Sequence, residues 1–424
     1  MGSILLKNVT VRDEVCDIFI AKGVICRIGK AGANAGWDIA GDVDVCDCTD
    51  KVAIPGFINM HTHAGMTLMR GIGEDMVLSG WLSKIWDIES RIDRDFVYWS
   101  VKVAAIEMIR TGTTTFNDQY WHFDAGHDAA VEMGIRPSCG YVILDRFDKE
   151  AAAKQKDECI ENYEKYAERW KGHGAIYTLA AHAVYTVSEE MMIWAAEYAR
   201  SKGERLHIHL SESQWEVNWC KEKYGLSPVE YLDRIGVLGP NVIAAHTLWL
   251  SEKDVEILGK RGVHCIHNIN SNTKLASGYK FLYNELRDAG ANVCIGTDGC
   301  ASSNNLDILE AMKTTALFQK AWREDPKALP LEELMTMATT NGAKALGLNA
   351  GVIREGADAD LSIINLNSPA FLSPGPILAN LIYSAHSDCI ESVIAGGRFV
   401  MRNREIAGEE EILQEARKAI KTIF

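Results

Sequence analysis

The sequence has no run of the ~18 uninterrupted apolar residues that a membrane-crossing helix needs, so no membrane span is expected. It also lacks any long stretch of lysine or arginine. Its 44 basic residues are outnumbered by 58 acidic ones, giving a net charge of −14 and a pI near 5.4. That balance argues against a nucleic-acid or anionic-membrane surface. The start, Met1-Gly2-Ser3-Ile4-Leu5-Leu6-Lys7, has no basic region leading into an apolar core and a small-residue cleavage site, so no signal peptide is expected. None of the 11 cysteines falls in a CxxC pair, and they read as reduced, buried thiols of a cytoplasmic protein. No GxGxxG turn follows the first strand of the α/β portion, which disfavours a dinucleotide-binding fold. What remains is a globular composition, 47% hydrophobic and 24% charged over 424 residues. That length suits one large domain and a smaller one.

The chain is organised around Ile54-Pro55-Gly56-Phe57-Ile58-Asn59-Met60-His61-Thr62-His63. Residues i and i+2 of a strand share a face, so both imidazoles leave on one side, where strand gives way to loop at Ala64-Gly65. Such a pair is half of a site for Zn²⁺ or a similar ion, although His-x-His is also common on plain edge strands. Strand signals recur at 54–63, 113–119, 136–143, 176–183, 205–212, 241–248, 264–270 and 292–299. Helical patterns lie between them, as at 94–110, 149–170, 188–202, 251–261 and 279–289. Eight βα units in about 240 residues predict a closed (β/α)₈ TIM-type barrel rather than an open sheet. Short β-rich runs flank it at 4–11, 17–20, 24–28 and 43–46, then at 359–364 and 390–400, with Gly396-Gly397 as a hairpin turn. The expected organisation is 1–54 and 349–424 pairing into a small β-sandwich closed by an amphipathic helix over 408–424, with the barrel at 55–348.

Barrel enzymes do their chemistry at the C-terminal strand ends. Those ends read His61-Thr62-His63, Ala181-His182, His209-Leu210-Ser211-Glu212, Ala245-His246 and Thr297-Asp298-Gly299. His61, His63, His209 and Asp298 are a plausible ligand set that leaves room for a bound water, whose pKa falls from 15.7 to roughly 7 on such a metal. Glu212, three residues past His209, is placed to carry protons, and His246 to polarise the attacking water or the departing group. His207 reads as structural, a partner of a ligand. His264 and His267 read as core residues, and His122, His127, His173 and His386 carry little signal. Asp298-Gly299 alone is also compatible with a simple turn.

Taken together, these residues resemble the amidohydrolase superfamily, in its cytosine-deaminase-like branch. The resemblance rests on Pro55–His63, His209-Leu210-Ser211-Glu212, His246-Thr247-Leu248, Ser271–Gly278 and Gly296–Asn305, and extends to Ala357–Leu361 and Val393–Gly397. It implies one divalent metal held by His61, His63, His209 and Asp298, with Glu212 shuttling a proton, His246 aiding hydroxide formation and Asp298 passing a proton to the leaving group. The bridging lysine of two-metal relatives has no counterpart, since no lysine lies within 173–187. His₃Asp suits Zn²⁺ first, and Fe²⁺ or Mn²⁺ as well.

Met66–Asp75 followed by Trp81-Leu82 is similar to the methylthioadenosine and S-adenosylhomocysteine deaminases. By that resemblance Glu89 binds ribose hydroxyls, His182 faces the purine, Ser302 lies near the base and Trp81 packs on the ligand. The plain alternative for Glu89 is a solvated helix-face carboxylate. Where the family has a carboxylate-binding arginine this chain has Tyr141, with Arg146 and Lys149 as nearby substitutes. The expected activity is hydrolytic deamination of 5′-methylthioadenosine, 5′-deoxyadenosine, adenosine or S-adenosylhomocysteine. The alternatives are another N-heterocycle (8-oxoguanine, pterin or s-triazine) and a catalytically dead scaffold. The expected partner is a small molecule, with no nucleic acid and no membrane, in a homo-oligomer.

Overall fold

In the computed structural model, residues 2–32, 37, 42–172 and 174–424 are described; His173 and part of the first β-rich segment lie outside them. Eight parallel strands make the barrel wall: β6 (Phe57–Thr62), β7 (Thr113–Asp118), β8 (Arg136–Cys139), β10 (Ile176–Ala183), β11 (Arg205–Leu210), β12 (Val242–His246), β13 (His264–His267) and β14 (Asn292–Ile295), paired in that order. A two-residue β9 (Val142–Ile143) joins β10 beyond the end of β8. The strands are buried nearly throughout because helices cover the wall, which is why they read as continuous apolar runs.

The wall closes just past β14. The backbone N–H groups of Thr297 and Asp298 donate to His61 O at 3.2 and 2.9 Å. The Asn59 carboxamide also clasps Thr297, donating to its Oγ1 at 2.7 Å and accepting from its N–H at 3.1 Å. Gly296 makes this approach possible. A Cβ there would lie 2.5 Å from Asn268 Oδ1 and 2.8 Å from His61 N.

The intervening helices carry the start signals their sequences promise. Asp93 caps Arg94–Arg110 through the Phe96 N–H, and Ser227 and Ser251 form capping boxes on Pro228–Arg234 and Glu252–Arg261. The helix expected over 279–289 is confined to Tyr283–Asp288.

The terminal segments join in one hydrogen-bonded sheet. It contains β1 (Ser3–Val11), β2 (Glu14–Ala21), β3 (Val24–Lys30), β4 (Val43–Asp47), β5 (Lys51–Pro55), β15 (Leu361–Asn365), β16 (Ile390–Ala395) and β17 (Arg398–Met401). β1 pairs with β4 through its first half and touches β5 only at Thr10, so the sheet divides along that strand. Leu6, Ile18 and Ile20 from one end of the chain pack with Leu361, Ile363 and Ile394 from the other. Gly396 and Gly397 turn the β16–β17 hairpin at φ of 54° and 73°. The closing helix runs from Glu409 to Ile423 against Arg94–Arg110, tied by the Arg110–Glu409 ion pair. Among the described residues no helix is long and apolar enough to cross a membrane.

Candidate active site

The C-terminal strand ends bring His61, His63, His209 and Asp298 to one point. His63 Nε2 lies 3.3 Å from both His209 Nε2 and Asp298 Oδ1, and His61 Nε2 lies 3.5 Å from the same oxygen. Hydrogen bonding settles which nitrogens face that point bare. His63 Nδ1 donates to the Gln119 carbonyl at 2.6 Å and His209 Nδ1 to the His182 carbonyl at 2.9 Å. A carbonyl only accepts, so each neutral ring keeps its proton on Nδ1 and turns an Nε2 lone pair inward. His61 differs: His207 Nδ1 takes the Asn117 amide at 3.0 Å and its Nε2 meets His61 Nδ1 at 2.9 Å, so in the metal-free chain a neutral His61 carries its proton on Nε2, 3.5 Å from Asp298 Oδ1.

The facing lone pairs of His63 and His209, 3.3 Å apart beside one carboxylate with no proton between them, favour a cation there. Four donors at the ~2.0–2.1 Å of Zn–N and Zn–O bonds in tetrahedral array stand about 3.4 Å apart, which matches these spacings. The residues therefore fit a divalent metal, and His61, His63 and Asp298 form one of two possible ligand clusters. Burial alone would raise the Asp298 carboxyl, but the adjacent His61 imidazole, then those of His63 and His246, hold it well below the usual range.

The other cluster, His61, His209 and His246, is disfavoured by the opposite tautomer argument. His246 Nδ1 receives the Asn272 amide at 3.0 Å and the Asn268 amide at 3.4 Å. Accepting there places the His246 proton on Nε2, which points into the site 3.7 Å from Glu212 Oε2. His246 thus presents a donor to the site. Burial lowers its pKa to about 4, so the ring stays neutral.

Glu212 is 8% exposed, and burial, then the Asp298 charge, pushes its pKa up to about 8. Its backbone is gripped from the next helix, where the Glu216 carboxylate accepts the N–H groups of Ser211 and Glu212, each at 2.8 Å. Ser211, His246 and Asp298 have φ of 53°, 74° and 64°, left-handed values that turn each strand end into the mouth. Asp118 pins the turn after His63, accepting from Thr62 Oγ1 at 2.7 Å and Ala64 N at 2.8 Å.

A cavity opens over these groups, and Trp81, Glu89 and His182 line it. Trp81 Nε1 donates to Ala301 O at 3.0 Å, and His182 Nδ1 is bonded to Thr186 Oγ1 at 2.7 Å. Glu89 is not a solvated helix-face carboxylate. Its Oε2 accepts from Trp121 Nε1 at 3.2 Å, and the carboxylate also lies beside the buried Tyr120 hydroxyl.

Three other expected residues stand elsewhere. Tyr141 follows Gly140, where β8 breaks because a Cβ would meet Thr178 O at 2.2 Å, and its hydroxyl turns away to Glu158. Ser302 is fully buried in a short helix, donating to Gly299 O at 3.0 Å, and does not line the cavity. Arg146 is exposed outside it, its guanidinium 5.2 Å over the Trp86 ring. Lys149 begins the helix Lys149–Gly172 along an outer groove. Reasoning from sequence passed over Gln119, Glu216 and Asn272. Strand-end position alone would have flagged Gln119.

Residues 52–400 match the model of the amidohydrolase family. The chain belongs to that family. This amidohydrolase is 43% identical to a 5′-deoxyadenosine deaminase of Methanoregula boonei, over 98% of this chain and 93% of that one. It is 41% identical to a 5-methylthioadenosine/S-adenosylhomocysteine deaminase of Thermococcus sibiricus, over 94% of each. Among solved structures, a zinc-bound adenosine deaminase from Xanthomonas campestris superposes with a TM-score of 0.92 at 30% identity, covering 99% of this chain and 98% of that one. The fold expected from the alternation of strands and helices is that of the family.

Proposed function

We propose that this amidohydrolase is a metal-dependent deaminase of adenosine-type nucleosides, releasing ammonia and the inosine-type product. The observation that carries the reading is one cavity lined by His63, His209 and Asp298, with His61 beside Asp298, together with a buried acid at about 8 and the carboxylate of Glu89. The relatives' activities support the same reaction.

His61, His63, His209 and Asp298 would hold one ion, with zinc favoured by the zinc-bound relative. Bound there, the ion supplies a water acidified to roughly neutral pKa. Glu212 takes a proton from the attacking oxygen and delivers it to the ring nitrogen beside the amino-bearing carbon, a relay that needs a pKa near the working pH. His246 donates Nε2–H toward the incoming oxygen and cannot serve as its base. Asp298 takes the second proton of the attacking oxygen and passes it to the departing amine.

Glu89 accepts ribose hydroxyls, while His182 and Trp81 bound the purine. Leu78, Leu82, Ile85 and Trp86 give the rest of the wall, and among the described lining residues there is no lysine or arginine. That wall suits a neutral 5′ group, as in 5′-deoxyadenosine or 5′-methylthioadenosine, better than the charged tail of S-adenosylhomocysteine. Eleven unpaired thiols fit a reducing cytoplasm.

The test is ammonia release by the zinc-loaded protein across adenosine analogues and free N-heterocycles. Turnover of 5′-modified adenosines is expected. Activity confined to a free base, pterin or triazine overturns the reading.

A further inference from the structure

Gln119 stands at the end of β7 with its main chain held from both sides. Its N–H donates to Thr62 O at 3.1 Å and its carbonyl accepts from His63 Nδ1 at 2.6 Å. The side chain lines the active-site cavity and is 3% exposed, yet neither Nε2 nor Oε1 has a hydrogen-bond partner. Buried polar groups are nearly always satisfied, and a carboxamide missing every bond is costly to keep. Glu89 lines the same cavity, its buried carboxylate beside the Tyr120 hydroxyl. Trp121, two residues beyond Gln119, ties Glu89 to this strand end through its indole N–H. An unpaired amide offering N–H and a buried carboxylate able to accept thus line one cavity. A sugar hydroxyl answers both, since it accepts through its oxygen and donates its proton.

We propose that Gln119 is a specificity-determining residue, whose Nε2–H donates to a ribose hydroxyl that in turn donates to Glu89. The inference rests on the nucleoside reading above and adds the amide half of sugar recognition. A site built to hydrogen-bond a hydroxyl rejects analogues that lack it, because its own polar groups are then stranded.

The experiment compares wild type with Q119M, which keeps the unbranched length and removes both polar atoms. An adenosine-type substrate is assayed beside its 2′-deoxy and 3′-deoxy counterparts. For the full ribonucleoside, kcat/KM is expected to fall roughly 10- to 100-fold, mainly through KM, and for one deoxy counterpart by no more than about twofold. Melting temperature is expected to hold or rise, because an unsatisfied buried amide has been removed. Q119E, which can accept but not donate, is expected to show the same selective loss. Equal losses on all three substrates, or none, overturn the assignment of Gln119 to the sugar. Should wild type itself process only free heterocycles, the nucleoside reading fails first, an outcome distinct from a wild type that turns over nucleosides and is matched by Q119M.

Discussion

Replacing Glu212 by glutamine removes a titrating proton carrier and little else, and the structure fixes two consequences of opposite sign. Loss of general acid–base transfer is expected to lower kcat by about 10²- to 10⁴-fold, with zinc still bound by residues the substitution leaves alone. Stability is expected to move the other way. Burial, then Asp298, raises the Glu212 carboxyl from 4.5 to about 8 in the folded chain. A carboxyl raised on folding contributes stability that is complete below its unfolded pKa and is lost as pH climbs through the folded one. The loss therefore accumulates between pH 4.5 and about 8, and glutamine, which never ionises, escapes it. At about 1.4 kcal/mol per pH unit, metal-free Glu212→Gln should exceed metal-free wild type by about 3 kcal/mol at pH 7 and about 5 kcal/mol above pH 8. With an unfolding entropy of ~2.1 cal/mol/K per residue over this chain, 3 kcal/mol corresponds to about 3 °C in Tm. Thermal melts of EDTA-treated proteins from pH 5.5 to 8.5, with ammonia release by their zinc-loaded forms, read both effects. A Tm difference that does not grow with pH, or a near-normal kcat, refutes the placement of Glu212 as a buried acid in the proton path.

Asp298→Asn should bind well under one equivalent of zinc by elemental analysis, since an amide nitrogen or neutral oxygen replaces the carboxylate shared by His61 and His63. Asn272→Asp puts an obligate acceptor against His246 Nδ1 and draws the proton there, so His246 loses its inward N–H; kcat should drop at least ~10²-fold, with the tautomer read by ¹⁵N NMR. Glu89→Ala should cost about 10²-fold in kcat/KM on ribonucleosides and leave any free-base turnover nearly unchanged, measured with the same substrate panel. Gly296→Ala forces a methyl to 2.5 Å from Asn268 Oδ1 and 2.8 Å from His61 N, and a Tm lower by several degrees with reduced zinc content is the expected result.

The barrel was legible because each strand is bounded by turn residues and followed by a helical repeat, and the strands of the sequence reading overlap all eight observed ones. The convergence of the strand-end histidines on Asp298 was legible for a related reason. Strand ends of a barrel converge whatever lies between them, so His61 and Asp298 could be paired across more than 200 residues. Side-chain direction was not legible where the backbone departs from the regular strand. Tyr141 was placed near the substrate on the assumption that the third strand runs on to 143, but it breaks at Gly140 and the ring swings to Glu158. Ser302 sits at the right depth in the sequence, and its short helix turns the hydroxyl back onto Gly299. Glu216 reads as a first-turn helix acid of the usual kind. Only its two bonds to Ser211 and Glu212 reveal what it holds.

The feature that sorts the histidines into roles is the partner on the far nitrogen, more than their distance from the centre. His61, His209 and His246 are close enough to share an ion, and geometry alone offers that trio beside the one containing Asp298. Main-chain carbonyls behind His63 and His209 push their lone pairs inward, while side-chain amides behind His246 push a proton inward. Those carbonyls belong to Gln119 and His182, residues that also line the cavity, so one stretch of backbone both sets the tautomers of His63 and His209 and carries side chains to the cavity. Under the proposed function, substrate contacts at Gln119 or His182 would share a main chain with the bond that orients an imidazole. Cavity and ligand cluster are in this sense one rigid unit, held by left-handed turns at Ser211, His246 and Asp298 that cost about 1–3 kcal/mol each and persist because the barrel around them allows no other path.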